Sequence, residues 1–87
     1  MGFVVAEVQA TPNPNALKFV LDRSVTQQPA SFFSAEAAGG HPLAAKLFAV
    51  PGVSSLLLLG DFITVNKRPE ARWSDVQRGV RRALAEA

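Results

Sequence analysis

Hydrophobic positions recur with a period of two in four stretches of the chain. From Phe3 to Ala10, Val4, Ala6 and Val8 alternate with Phe3, Val5, Glu7 and Gln9, and from Ala16 to Asp22, Leu17, Phe19 and Leu21 alternate with Lys18, Val20 and Asp22. Such alternation predicts strands with one face buried. Between the two lies Pro12-Asn13-Pro14-Asn15. Each proline fixes φ, removes a backbone donor and pushes the preceding residue toward extended geometry, so this stretch is a stiff connector and not strand interior. Farther on, Val53 to Leu59 and Phe62 to Lys67 flank Gly60-Asp61, a two-residue hairpin signal in which glycine supplies a positive φ. That turn dictates the pairs Leu59 with Phe62, Leu58 with Ile63, Leu57 with Thr64 and Leu56 with Val65. One face then carries Leu56, Leu58, Ile63 and Val65. The other carries Leu57, Leu59, Phe62 and Thr64, and is either a contact surface or lies under the Phe32-Phe33 loop.

Two stretches change period to that of a helix. Pro42 suits a first helical position, with Leu43, Leu47, Phe48 and Val50 on one face until Pro51-Gly52 ends the run. Ser74-Asp-Val-Gln77 has the spacing of a capping box, followed by a stripe of Val76, Val80, Ala83 and Leu84 with Arg78, Arg81 and Arg82 pointing away from it. Arg23 to Pro29 reads as a loop, and Ser34 to Ala38 as one helical turn stopped by Gly39-Gly40. The order is β-β-α-β-β-α. It predicts an α+β, two-layer fold in which two main helices cover one face of a four-stranded, mainly antiparallel sheet.

Composition narrows the functional classes. Eighty-seven residues, 48% hydrophobic and 18% charged, are expected to form one globular domain over residues 1–87. Cysteine is absent, so neither a disulfide nor a thiolate-bound metal can brace the core. No apolar run approaches the ~20 residues needed to cross a bilayer, and no basic segment leads into a signal-like apolar stretch. A cytoplasmic protein with no membrane partner is the expectation. Nine Lys and Arg against seven Asp and Glu give a formal charge of +2, a mild bias without the aromatic interleaving of a nucleic-acid binder.

Two islands carry a family likeness. Thr11-Pro12-Asn13-Pro14-Asn15-Ala16-Leu17-Lys18-Phe19 and Gly60-Asp61-Phe62-Ile63-Thr64-Val65-Asn66-Lys67, with Pro42-Leu43-Ala44, Leu47-Phe48, Pro51-Gly52-Val53 and Trp73 in unbroken order, resemble the N-terminal domain of Nfu/NifU-type iron–sulfur cluster scaffold proteins. In that family the cluster is held by a separate C-terminal domain with a Cys-x-x-Cys pair. The resemblance therefore implies a non-catalytic accessory or adaptor domain of iron–sulfur cluster biogenesis, and the missing cysteines exclude thiolate ligation of a cluster by these residues. Its implied partners are a scaffold protein bearing the Cys-x-x-Cys domain or a recipient apoprotein, met by surface contact.

The residues offer few reactive constellations. No cysteine nucleophile, tyrosine, second histidine, Gly-x-Gly-x-x-Gly or Walker loop is present, so no catalytic residue, cofactor or metal ligand is assigned. The candidate partner-binding residues are Asn13, Asn15 and Lys18 on the stiff loop and Phe62, Thr64 and Lys67 on the hairpin. A preorganised loop loses little entropy when it binds. One alternative is a small iron- or ligand-binding domain using oxygen ligands and His41, the sole histidine; a second is nucleic-acid binding through the arginine face of the last helix, which ranks behind an acidic protein surface.

Overall fold

The structure, a computed structural model, describes residues 2–87. Seven elements follow one another: β1 (Val5–Ala10), β2 (Ala16–Leu21), β3 (Ala30–Phe32), α1 (Pro42–Phe48), β4 (Val53–Leu59), β5 (Phe62–Lys67) and α2 (Trp73–Glu86). The strands form one sheet in the order β1-β2-β5-β4-β3, antiparallel throughout. The expected α+β plan is present, with a fifth strand added. Ala30 and Phe32 do alternate with Ser31, but three residues are too short a run for a period to stand out. Their pairing with Leu58 and Leu56 is supplied by a partner some two dozen positions away.

The hairpin has the register dictated by its turn: Leu59 opposite Phe62, Leu58 opposite Ile63, Leu57 opposite Thr64 and Leu56 opposite Val65. Gly60 takes φ +58° while no non-glycine residue among those described has a positive φ, which is the II′ pattern that matches strand twist. Leu56, Leu58, Ile63 and Val65 are consequently buried together with Phe19 and Leu21 of β2. On this face α2 contributes Val76, Val80, Ala83 and Leu84, and α1 contributes Ala44 and Leu47. Phe32 packs against the same core, so the Phe32-Phe33 segment extends the sheet edge and does not cover the opposite face.

Three local expectations are corrected. In β1 the simple alternation fails because the register shifts between Val5 and Glu7; the bulge lets Val5 and Val8 both pack on the core, while Val4 and Ala6 are exposed. The Ser74 capping box does not form: α2 starts at Trp73, two residues before a Ser74 cap would place it, with Arg72 in extended geometry as N-cap and no side-chain cap bond. The Trp73 indole donates to the Pro14 carbonyl at 2.9 Å, and this tertiary tether draws Trp73 into the first turn and moves Ser74 off the cap position. Ser34 to Gly40 folds as successive turns without an α-helix, capped locally by Ser34 Oγ accepting from the Ala37 N–H.

At Gly79, α2 meets the segment that follows α1. A Cβ built there would lie 2.5 Å from Val50 Cγ1, and Val50 is itself buried. Glycine in a helix interior costs ~1 kcal/mol relative to alanine, so its presence reflects the need for close approach. Gly79→Ala is expected to reverse that gain: overpacking of ~1–3 kcal/mol outweighs the improved propensity, and denaturant melts should show a net loss of about 1 kcal/mol. A stabilised variant would mean that Val50 yields freely.

Candidate functional site

The six candidate residues fall into two groups, one on the open face of the sheet and one around the connector. Lys18, Phe62 and Thr64 lie on the face that no helix covers, whereas Lys67, at the end of the Ile63-Val65-Lys67 parity, points to the helix side. Asn13 and Asn15 sit in the connector between β1 and β2.

The connector group is tied up within the fold. Thr11 Oγ1 accepts from the Asn13 N–H at 3.2 Å and lies 2.9 Å from the Ala16 carbonyl it donates to; Asn13 Oδ1 accepts from the Asn15 N–H at 2.8 Å. These are the local bonds expected of Thr and Asn in turns. Asn15 then bonds to the neighbouring strand at the end of β5. Its Oδ1 accepts from Lys67 Nζ at 3.0 Å and its carbonyl accepts from the Lys67 N–H at 2.8 Å. Lys67 is only 9% exposed, and its ammonium is satisfied by neutral acceptors: Asn15 Oδ1, the Arg68 carbonyl at 3.3 Å and the Pro69 carbonyl at 3.5 Å, with the Trp73 ring centroid 5.8 Å away. No carboxylate among the described residues pairs with it. Asn15, Lys67, Trp73 and Pro14 thus form a clasp that fastens the connector to the start of α2.

The second group forms a surface. Lys18 Nζ stands 4.1 Å from the centroid of the Phe62 ring, a cation–π contact across the β2–β5 pair. Cross-strand pairing places Val20 beside Phe62 and Phe62 beside Leu59, and in the next row Lys18 beside Thr64 and Thr64 beside Leu57. Val20, Leu57 and Phe62 are partly exposed and Leu59 is 38% exposed. Glu7 and Gln9 of β1, bonded to each other at 2.9 Å, border this strip beyond Val20 and Lys18. Val20 was not among the candidates. Its place here depends on the pairing of β2 with β5, which no local pattern encodes.

His41 has a structural post. Its Nδ1 accepts from the Ala44 N–H at 3.2 Å as the N-cap of α1, and its ring meets Phe32 edge-on at 5.3 Å. Among the described residues, no three of His, Asp and Glu converge as a metal site would require. No helix among them is long and apolar enough to cross a membrane.

This arrangement is an α+β module: a five-stranded antiparallel sheet with two helices on one face and a clasped Pro-Asn connector. Residues 6–87 match the family model described as Scaffold protein Nfu/NifU N terminal, and the chain belongs to that family. Among curated proteins it is 42% identical over 73 residues to the NFU1 iron-sulfur cluster scaffold homolog, mitochondrial, of Drosophila ananassae, covering 78% of this chain and 24% of that protein. The human protein of the same name is 41% identical over 69 residues, covering 78% of this chain and 27% of the relative. The chain thus spans about a quarter of the length of these relatives. Among solved structures, protein SAV1430 from Staphylococcus aureus superposes with a TM-score of 0.79 at 25% identity, covering 92% of this chain and 96% of that one. A NifU-like protein from Saccharomyces cerevisiae gives 0.78 at 27% identity, covering 95% and 77%.

The clasp makes a stability prediction. Asn15→Ala removes the shortest acceptor contact of a buried lysine and should cost about 1–3 kcal/mol, lowering Tm by roughly 5–20 °C for a domain of this size. Thr64→Ala, on the open face, should stay within about 0.5 kcal/mol of the parent. Thermal unfolding followed through Trp73, the sole tryptophan, tests both; equal melting of the two variants would refute the clasp.

Proposed function

We propose that this domain is a non-catalytic accessory module of iron–sulfur cluster biogenesis, acting by protein contact with a cluster-carrying scaffold domain or a recipient apoprotein. The carrying observation is the open sheet face, where Val20, Leu57, Leu59 and Phe62 form a contiguous apolar strip beside Lys18. Apolar strips of this kind on small domains favour partner contact over solvent. Membership of the Nfu/NifU N-terminal family and the scaffold names of its relatives support the pathway. The 87 residues contain no cysteine, so a cluster handled in their company has its thiolates from another domain.

In this reading the sheet is a rigid platform, since pairing on both sides of β5 fixes the backbone that carries these side chains. Phe62 is the anchor, being aromatic, central and already ordered by Lys18. Thr64 and Lys18 supply polar contacts at its margin. Asn13, Asn15 and Lys67 act indirectly, by holding the connector and the end of β5 in place.

Titration of the labelled domain with an Nfu-type domain carrying Cys-x-x-Cys tests the proposal by NMR. Chemical-shift changes should centre on Lys18, Val20, Leu57, Phe62 and Thr64, and Phe62→Ala should weaken the contact at least about tenfold while preserving the spectrum of a folded domain. Absence of any shift with cluster-loaded and apo partners alike would sink it.

A further inference from the structure

The charges are unevenly divided between the two layers. The two helices with the Arg72 cap carry five cations, Lys46, Arg72, Arg78, Arg81 and Arg82, against two carboxylates, Asp75 and Glu86; the remaining residues carry four cations against five carboxylates. The helix layer is therefore net positive by three and the rest net negative by one. A chain of overall charge +2 has its excess concentrated on one side.

Few of these cations are neutralised by neighbours. Arg78 reaches Asp75 only at 3.9 Å, with both side chains largely exposed, and such a pair contributes little in water. Lys46 Nζ donates to the Glu86 backbone carbonyl at 3.0 Å, which leaves its charge without a counter-ion. Arg81 and Arg82 are exposed, and neither forms an ion pair within the described residues. Arg78, Arg81 and Arg82 are spaced three and four apart, so they are neighbours on one helical surface. Alongside them the α1–α2 junction leaves a shallow groove of about 270 Å³ with an apolar floor of Ala49, Val50, Pro51 and Ala83. Gly79, with no side chain, lets Val50 seat against α2 in this floor. Lys46 and Arg82 stand at its rim, with Glu86.

We propose that this helix face is a second docking surface, separate from the open sheet, and that its occupant is an acidic amphipathic segment of a partner protein. Charge complementarity selects the acidic partner, and the apolar floor between the cations selects a protein segment with a hydrophobic residue over a nucleic acid. Exposed guanidiniums suit paired carboxylates through bidentate contacts. The surface lies on the opposite side of the molecule from the Phe62 strip, so both can be engaged at once. An adaptor with two such faces can bridge two proteins.

The test uses the 87-residue chain and a synthetic helical peptide with glutamates along one face and a leucine stripe along the other. Shifts should map to Ala49, Val50, Gly79, Arg82 and Ala83, and affinity should fall roughly tenfold between 50 and 200 mM salt, as expected for steering by exposed charge. Charge reversal in the double variant Arg81→Glu, Arg82→Glu should abolish binding, and Phe62→Ala should leave it intact. Circular dichroism confirms that each variant is folded. Unchanged peptide binding by the reversal variant overturns the proposal, as does tighter binding of a single- or double-stranded oligonucleotide of matched charge. Loss of peptide binding in Phe62→Ala would also overturn it, by merging the two faces, whereas failure of the sheet-face titration alone leaves it standing.

Discussion

The pairing of Leu59 with Phe62 across a two-residue turn governs the parity of the central strands. β5 is the middle strand of five, so its alternation is passed to β4 on one side and β2 on the other. A slip of one residue would exchange Ile63 and Val65 for Phe62 and Thr64 beneath the helices, and move the core residues to water. Several kcal/mol of apolar burial resist that exchange. The same constraint that builds the core therefore also builds the exposed strip, because a side chain excluded from one face of a sheet has only the other to occupy.

Lys67 shows what the end of β5 requires. Its parity carries it toward the apolar layer, and the chain satisfies its ammonium with an amide oxygen and two carbonyls in place of a carboxylate. Loss of one acceptor from such an arrangement is costly, since burial limits the water that could replace it. The Pro-Asn connector is thus conformationally stiff for two reasons. Its own prolines and Asx turn fix its shape, and Lys67 and Trp73 fix its position.

Much of the fold was legible in local pattern. The β4–β5 hairpin, the buried stripe of α2 and the start of α1 at Pro42 follow from spacing and turn chemistry alone. Legibility ended where a distant partner decided the outcome. β3 exists because β4 offers it an edge; α2 begins at Trp73 because the Pro14 carbonyl accepts a hydrogen bond from its indole N–H; the β1 bulge sets which valines turn inward. The site was half legible for the same reason. Lys18, Phe62 and Thr64 share a surface through the β2–β5 pairing, whereas Asn13, Asn15 and Lys67 read equally well as recognition groups until their hydrogen bonds are traced into the fold.

The two margins of the sheet are unlike each other, and both are poor templates. One offers three residues before the chain turns away at Phe33, and the other is bent by its irregularity near Ala6. Strands that are short or kinked resist fibre-like stacking of one molecule on the next. A domain that leaves greasy side chains in water on its broad side is thereby given borders that disfavour runaway polymerisation.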